Sequence, residues 1–229
     1  MVLGVDTCGP SGSVALGRLE GGSVRILGQR ELAGRSYSAT LVAAVGEMLA
    51  GNGARLGDLR AIVVVSGPGS FTGVRVGLSA VKGLAEPAQI PVVAVSRLEV
   101  LAKKSGVAPA ALDAHRHEVY LRVGAGGGDA RELLAGAEEL TIIEPRPAQV
   151  VVCDDGAAAM VHKAWPDIDL VRTQAPDASD AMRLALPRIL ASQFDDVALI
   201  DGHYLRRSDA EIFGEPGAAA ARPKKGQSK

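Results

Sequence analysis

The sequence is poor in several features that mark common classes of protein. It has only two cysteines, Cys8 and Cys153, so a disulfide framework is excluded and a reducing compartment is favoured. Aromatic residues make up 3% of the chain, so the core must be aliphatic. No apolar run reaches the roughly 20 residues that a membrane-spanning helix needs, and no charged start followed by an apolar run resembles a signal peptide. We therefore expect a cytoplasmic protein that does not enter a membrane.

Charge and motif content exclude further classes. The formal net charge is −1, so no overall basic field attracts nucleic acid. A P-loop requires the sequence Gly-Lys-Ser/Thr. Here Thr72 is followed by Gly73 and the loop has no lysine, so a P-loop is excluded. Glycines 67, 69 and 73 are spaced one residue too long for a dinucleotide-binding fingerprint. The G-x-S-x-G motif of serine hydrolases is also absent.

A strand, a glycine-rich turn and a helix form the most informative stretch of the chain. Three consecutive valines at 63–65 predict a strand that is buried on both faces. Residues 67–69 (Gly-Pro-Gly) then break the strand. Thr72 is a good N-cap for a helix over residues 73–86, and Pro87 is expected to end that helix.

The order of predicted elements in the first half is specific. The chain is predicted to begin with a three-stranded meander at 2–29 and a helix at 36–50. The valine strand at 63–65 and its helix at 73–86 follow, and a strand at 91–95 and a helix at 96–104 complete the series. This β-β-β-α-β-α-β-α order is typical of the ribonuclease-H-like unit from which the actin, sugar-kinase and Hsp70 superfamily (ASKHA) is assembled.

The second half repeats this pattern weakly. An aliphatic strand ends in Asp113, a second strand returns at 118–123, and residues 149–153 echo the valine strand. The repeat predicts an α/β, actin-like (ASKHA) fold of two ribonuclease-H-like units, the second reduced. The predicted divisions are an N-terminal domain at 1–105, a smaller C-terminal domain at 106–215 whose last segment could return to the first domain, and a disordered tail at 216–229.

Two aspartates occupy equivalent places in the two halves. Asp6 and Asp113 both end first strands, where nucleotide-binding members of the superfamily hold Mg²⁺ and phosphate with carboxylates. The alternative is that each aspartate caps its own turn. The residues that could contact a nucleotide or phosphate are Asp6, Thr7, Gly67, Gly69, Ser70 and Asp113.

A pair of histidines raises the question of a metal. His115 and His117 flank Arg116, and on a strand such a pair would point to one face and could bind zinc or iron. No third ligand has suitable spacing, so two surface histidines beside a hairpin are the favoured interpretation. We therefore predict no metal site and no catalytic residue.

The helix at 73–86 carries a second, unusual face. Gly73, Gly77 and Ala80 fall on one side, and small residues let another helix approach closely. Because a helix usually buries one stripe, this face predicts docking of a partner, although the sheet could use both faces. Replacing Gly77 by leucine would then abolish docking and leave the fold intact. The predicted interface, shared with the helix at 36–50, comprises Leu41, Val45, Met48, Gly73, Val74, Gly77, Leu78, Ala80 and Val81.

The same stretch resembles a known family. Residues 67–85 (Gly-Pro-Gly-Ser-Phe-Thr-Gly-Val-Arg-Val-Gly-Leu-Ser-Ala-Val-Lys-Gly-Leu-Ala) are similar to the signature of the TsaB (YeaZ) family. Further segments that resemble the family are 3–7, 13–16, 91–99, 112–120 and 204–206. The resemblance implies an actin-like fold and a role in making threonylcarbamoyladenosine in tRNA, as the non-catalytic paralogue of the TsaD subunit.

The resemblance also implies partners. It implies a homodimer when the protein is alone, and docking of a TsaD-type catalytic subunit through the two N-domain helices, with a TsaE-type ATPase completing the complex. Transfer-RNA would be the substrate of the whole complex. No cofactor would be tightly bound, and any ATP or ADP with Mg²⁺ would lie at a shared interface.

Two departures and two alternatives remain beside this resemblance. Tyr37 stands where the family has a histidine, and His115 and His117 stand where it more often has arginine and glycine. The chain lacks the H-x-x-x-H metal motif of TsaD. The alternative functions are a small ASKHA-type ATPase or phosphotransferase that uses Asp6 and Asp113, and a metallopeptidase.

Overall fold

The computed structural model describes residues 1–34, 36–124 and 130–206; the predicted tail at 216–229 lies outside them. The first half forms a five-stranded sheet in the order β3-β2-β1-β4-β5. Its elements are β1 (Val2–Asp6), β2 (Gly12–Glu20), β3 (Ser23–Leu32), α1 (Tyr37–Gly51), a 3₁₀ turn (Leu56–Asp58), β4 (Ala61–Val65), α2 (Phe71–Ala88), β5 (Val92–Val95) and α3 (Arg97–Ser105).

A second five-stranded sheet follows, in the order β10-β9-β6-β7-β8. Its elements, with the helices of the second half, are β6 (Ala110–Asp113), β7 (Val119–Val123), β8 (Arg131–Ala135), α4 (Ala137–Thr141), β9 (Gln149–Val152), α5 (Asp155–Ala164), β10 (Asp169–Arg172) and α6 (Ala178–Leu190). In both sheets the first three strands along the chain pair antiparallel. The fourth strand pairs parallel to the first, and the fifth pairs parallel to the fourth. This duplicated topology confirms the predicted fold class.

The helices cover the first sheet on both faces. Helices α1 and α2 pack against each other and against β1, β2, β3 and β4. Helix α6 belongs to the second half of the sequence but packs on all five strands of the first sheet. Its backbone lies so close to Gly4 that a Cβ there would be 2.6 Å from the carbonyl oxygen of Ala178. Burial of β1 and β4 on both faces therefore explains why neither strand alternates between apolar and polar residues.

Helix α3 connects the two units. Leu98 and Leu101 are fully buried against residues of the second sheet, such as Leu112 and Val151. The other face of that sheet packs on α4 and α5, where Trp165 is buried and its indole N–H donates to the carbonyl oxygen of Leu140 at 3.0 Å. Among the described residues, no helix is long and apolar enough to cross a membrane.

The ends of α2 differ from the prediction. The N-cap is Ser70, whose Oγ accepts a hydrogen bond from the Gly73 amide at 3.2 Å, so the assignment of Thr72 as N-cap is wrong. Pro87 lies inside the last turn, so the prediction that it ends the helix is wrong. The helix runs to Ala88, and its C-cap Gln89 adopts the left-handed conformation with φ of 54°. Pro87 has no N–H to donate, so the last turn lacks one backbone hydrogen bond, but the helix continues past it.

Candidate functional site

The glycine-rich loop and α2 pack directly on the turn that follows β1. The Ser70 amide donates to the carbonyl oxygen of Cys8 at 2.8 Å, and the Thr7 hydroxyl donates to the carbonyl oxygen of Gly73 at 2.7 Å. A Cβ on Gly69 or Gly73 would overlap backbone atoms of Cys8 or Thr7, well inside 3.0 Å. The loop glycines therefore allow backbone to pack on backbone.

This packing overturns one prediction about α2. Gly73 and Gly77 are buried, and a Cβ on Gly77 would overlap the Thr7 hydroxyl. The small-residue face thus points inward, and the prediction that it faces a partner is wrong for these two glycines. The physical reason is that a glycine stripe also lets a helix approach a turn of its own chain.

The other predicted interface residues are also mostly internal. Met48 and Ala80 are half-buried, while the buried members are Leu41, Val45, Val74, Leu78 and Val81. These buried side chains belong to the core between the helices and the sheet, and Leu41 also lines the groove described next.

The outer surface of the two helices carries a groove instead. It has a volume of about 420 Å³ and is lined by Tyr37, Ser38, Leu41, Val42, Arg75, Val76, Ser79 and Ala80. Val42 is 54% exposed, so much of its apolar side chain meets solvent. Leu41, Val42, Val76 and Ala80 therefore give the groove an apolar lining, and Arg75 adds a charged group to it.

Asp6 and Arg97 form a buried ion pair beside the glycine-rich loop. The exposed fraction is 2% for Asp6 and 7% for Arg97, and Arg97 Nε lies 3.8 Å from Asp6 Oδ2. The other carboxylate oxygen accepts a hydrogen bond from the Cys8 amide at 2.8 Å. Burial raises the pKa of Asp6, and the positive charge of Arg97 opposes this rise.

The arginine occupies the space in which a cation would have to bind. A Cβ on Gly9 would lie 2.5 Å from Arg97 Nη2, so the guanidinium fills the gap between Asp6 and the turn. The Asp6 carboxylate is thus shielded from solvent and already faces a cation. These residues do not fit a magnesium–phosphate site of the kind that the fold allows.

Asp113 has different partners in the second unit. Its Oδ1 accepts a hydrogen bond from the His115 amide at 2.7 Å, and its Oδ2 lies 3.1 Å from His115 Nδ1. Over the described ranges, no hydrogen bond or ion pair joins it to Asp6. Residues 115–117 have φ of 58°, 56° and 62°, so three successive residues adopt the left-handed conformation in an exposed turn.

No metal cluster accompanies these histidines in the described part of the chain. There, no group of three or more His, Cys, Asp or Glu side chains has an arrangement that could hold a metal ion. His115 and His117 are exposed, and their turn separates them from β7.

Tyr37 ties the first helix to the turn after β1. Its hydroxyl donates to the carbonyl oxygen of Gly9 at 2.9 Å, and its ring lies against Gly12. Burial, with the nearby Asp6 carboxylate as the next cause, raises the pKa of Tyr37 to about 12. The side chain is therefore a neutral structural anchor that also lines the groove.

Glu132 is the centre of a polar cluster that joins three segments. Its carboxylate accepts hydrogen bonds from the Ser96 hydroxyl at 2.7 and 2.8 Å and from Arg122 Nη1 at 2.9 Å. His203 Nε2 lies 2.8 Å away. Burial by itself would raise the pKa of Glu132. The hydrogen bonds from His203, Ser96 and Arg122 outweigh this effect, so the pKa lies below its usual value of 4.5. The cluster links the start of α3, the second sheet and the C-terminal segment.

Replacing Glu132 by glutamine is expected to destabilise the protein in a pH-dependent way. Because the pKa is lower in the folded than in the unfolded state, the ionised carboxylate stabilises the fold above pH 4.5. That contribution is lost as the pH falls through the folded-state pKa. Urea unfolding of wild type and Glu132→Gln over a pH series would show their difference shrinking in acid. A constant difference, or the same trend for the exposed Glu86→Gln, would contradict this.

Sequence reasoning missed several of these residues. Arg97 and Glu132 were not recognised as partners of buried groups, because the contacts join residues 91 and 36 positions apart. The exposed rings of Phe71 and Tyr204 were also missed. Their signal was present, since the chain has only three phenylalanines and three tyrosines and an aromatic in a helix-start motif is conspicuous.

Comparisons with known proteins agree with this architecture. The family model of TsaD, tRNA N6-adenosine threonylcarbamoyltransferase, matches residues 28–136. A stretch of 125 residues is 37% identical to the tRNA threonylcarbamoyladenosine biosynthesis protein TsaB of Escherichia coli (strain K12), covering 52% of each chain. The chain thus spans about half the length of this curated relative.

Longer matches cover most of the chain. Over 165 residues, 70% of this chain and 44% of the relative, it is 34% identical to tRNA N6-adenosine threonylcarbamoyltransferase of Paracoccus denitrificans. The solved structure of YeaZ from Pseudomonas aeruginosa superimposes with a TM-score of 0.70 at 28% identity, over 89% of this chain and 99% of that one. With the duplicated fold and the signature at 67–85, these similarities support the assignment of this chain to the TsaB (YeaZ) family.

Proposed function

We propose that this protein is a non-catalytic subunit of a complex that makes threonylcarbamoyladenosine in tRNA. In this proposal it docks a TsaD-type catalytic subunit through the outer surface of α1 and α2. It would use the same surface for a homodimer when alone, and a TsaE-type ATPase would join the complex. The names of its relatives, which are biosynthesis proteins of this nucleoside, support the process.

The observation that carries the docking proposal is the apolar groove between the two helices. A solvent-exposed valine such as Val42, beside half-buried Val76 and Ala80, costs free energy unless a partner covers it. Arg75, which also lines the groove, adds a residue type that is enriched at protein interfaces. A helix of the partner could lie in this groove with its own apolar stripe facing inward.

The buried pair of Asp6 and Arg97 supports a non-catalytic role. An ATPase that used Asp6 and Asp113 would need both carboxylates open to Mg²⁺ and phosphate, whereas Asp6 is 2% exposed. Any ATP or ADP would then bind at a surface shared with the partner. Calorimetry with Mg-ATP, on this protein alone and on the complex, would test this division of roles.

Replacing Val42 by glutamate is expected to weaken docking and leave the fold intact. A charge in the apolar groove would have to be desolvated on binding, so affinity for the TsaD-type subunit should fall by at least about tenfold. Size-exclusion chromatography and calorimetry would measure both partner binding and self-association. Val42 is exposed, so the melting temperature should hardly change.

The matched control is Ala43→Glu, because residue 43 is also exposed on α1 but lines a different depression, beside β3. It should bind like wild type. If both variants bind like wild type, the groove is not the docking surface. If both variants lose binding equally, the added negative charge on α1 weakens binding wherever it is placed, and the groove is not the cause.

A further inference from the structure

An uncompensated positive charge lies in the groove between α1 and α2. Arg75 lines that groove, and the contacts of its guanidinium within the described part of the chain are with two aromatic side chains. Nε donates to the Tyr204 hydroxyl at 3.3 Å, and the guanidinium lies 3.9 Å from the centre of the Phe71 ring and 5.9 Å from that of Tyr204. Neither partner is a carboxylate, so Arg75 can still bind an acidic side chain.

Exposed apolar surface surrounds this charge. Val42 is 54% exposed, and Phe71 and Tyr204, whose ring centroids lie 5.0 Å apart, are each 37% exposed. Because Arg75 lines the groove and also contacts both rings, the rings adjoin the groove. Apolar surface of this kind favours a protein occupant, and the charge of Arg75 favours one that combines large apolar residues with acidic ones.

The chain itself contains a segment of this composition. Residues 207–229 follow Arg206, the last residue that the structure describes. Within them, residues 209–215 read Asp-Ala-Glu-Ile-Phe-Gly-Glu, with three acidic residues and no basic one. Ile212 and Phe213 are the only large apolar residues between 207 and 229. The segment therefore offers two adjacent apolar side chains with acidic residues on either side.

The segment begins close to the groove. Tyr204 contacts Arg75 directly, and its position is fixed because the amide of the preceding His203 donates to the carbonyl oxygen of Ser66 at 2.7 Å. Phe213 is seven residues beyond Arg206, and seven extended residues span roughly 23 Å. This reach is sufficient to bring the apolar pair back to a groove whose lining includes Arg75.

We propose that residues 209–215 of the same chain bind in the groove and cover the surface on which a partner would dock. Ile212 and Phe213 would cover the exposed apolar side chains, and the neighbouring Glu211 would pair with Arg75. A segment joined to its site by a short stretch of chain has an effective concentration of about millimolar, so even a weak contact would keep the groove occupied. Occupancy of the groove stands by itself, whereas competition with a TsaD-type subunit rests on the proposed function.

The first experiment uses no partner protein. The probe is a fluorescein-labelled peptide of residues 207–217, and fluorescence anisotropy measures its binding to full-length proteins. In the variant Ile212→Ser/Phe213→Ser the chain's own segment loses its apolar side chains, so the groove should be free and the peptide should bind. The wild-type protein, whose own segment competes, should bind the peptide roughly tenfold more weakly. A peptide that carries the same two substitutions should bind neither protein.

Groove variants locate the site of binding. Val42→Glu, added to the variant Ile212→Ser/Phe213→Ser, should abolish peptide binding, because it places a charge of the same sign as the peptide in the apolar groove. Ala43→Glu, on the same helix but outside the groove, should leave binding unchanged. If wild type and Ile212→Ser/Phe213→Ser bind the peptide equally, or if the two glutamate variants do, the segment does not occupy the groove.

Size-exclusion chromatography distinguishes the chain's own segment from that of a second copy. If the segment binds within its own chain, Ile212→Ser/Phe213→Ser should self-associate at least as strongly as wild type, because its groove is free. Weaker self-association of this variant would show that the segment comes from a second copy, and the proposed contact within one chain would be overturned.

The regulatory consequence is tested with the partner. Calorimetry should show that Ile212→Ser/Phe213→Ser binds a TsaD-type subunit roughly tenfold more tightly than wild type does, because no segment has to leave the groove first. Equal affinities would overturn the competition. If neither protein binds the subunit, the proposed function fails, while the peptide measurements still decide whether the segment occupies the groove.

Discussion

Gly73→Ala is expected to lower the free energy of unfolding by roughly 3 kcal/mol, at the upper end for overpacking of a core. The new Cβ would overlap the carbonyl oxygen of Thr7, and a backbone oxygen cannot rotate away as a side chain can. Thr7 itself is held by its hydroxyl bond to the Gly73 carbonyl. For a protein of this size the melting temperature should fall by about 6–12 °C, as calorimetry or circular dichroism would show.

Gly83→Ala is the matched control for this substitution. Gly83 lies in the same helix, and nothing lies within 4 Å of a Cβ built there. Alanine is favoured over glycine in a helix interior by up to about 1 kcal/mol, so this variant should be slightly more stable than wild type. If Gly73→Ala were as stable as Gly83→Ala, the close contact between α2 and the turn after β1 would be wrong.

The same contact changes how a substitution at Gly77 must be interpreted. A leucine there would meet the Thr7 hydroxyl inside the protein and would disturb folding before it affected a partner. Loss of partner binding by that variant would therefore say nothing about docking. Exposed positions such as Val42 are needed for that purpose.

Arg97→Met is expected to have the second large effect, a loss of roughly 3–5 kcal/mol, as found when one partner of a buried ion pair is removed. Methionine retains much of the volume but leaves the Asp6 carboxylate buried without a cation. The Cys8 amide would be its remaining hydrogen-bond donor among the contacts described. Chemical denaturation at neutral pH would measure the loss.

The double variant Asp6→Asn/Arg97→Met should regain most of this stability, because it buries no charge.

The difference in stability between the single variant Arg97→Met and the double variant should also depend on pH. Burial already raises the pKa of Asp6 in the folded protein, and loss of Arg97 would raise it further. An acid whose pKa is higher in the folded state stabilises the fold below its unfolded-state pKa, and this contribution disappears as the pH rises through the folded-state value. The gap between the two variants should therefore close as the pH falls.

A gap that is independent of pH would show that Asp6 is not the charged group left behind. An Arg97→Met variant as stable as wild type would show that the ion pair, with its separation of 3.8 Å, contributes little.

The sequence by itself determined the fold class and indicated the family. The valine strand at 63–65, the order of strands and helices along the chain, and the repeat near Asp113 were sufficient for the fold class, because periodicity and the order of elements depend on local sequence. The signature at 67–85 indicated the TsaB (YeaZ) family, which the comparisons support. The boundaries of α2 were less well predicted, since Ser70 and Thr72 are both good N-caps and only the backbone path chooses between them.

Only the tertiary structure decided which way each face of α2 points and which charges meet. A glycine stripe permits close approach from a partner or from the chain itself, and the sequence does not distinguish the two. The pairing of Asp6 with Arg97, of Glu132 with His203, and of Phe71 with Tyr204 joins residues far apart in the chain. Such contacts depend on how the two sheets and the C-terminal segment pack together, and no local pattern encodes that arrangement.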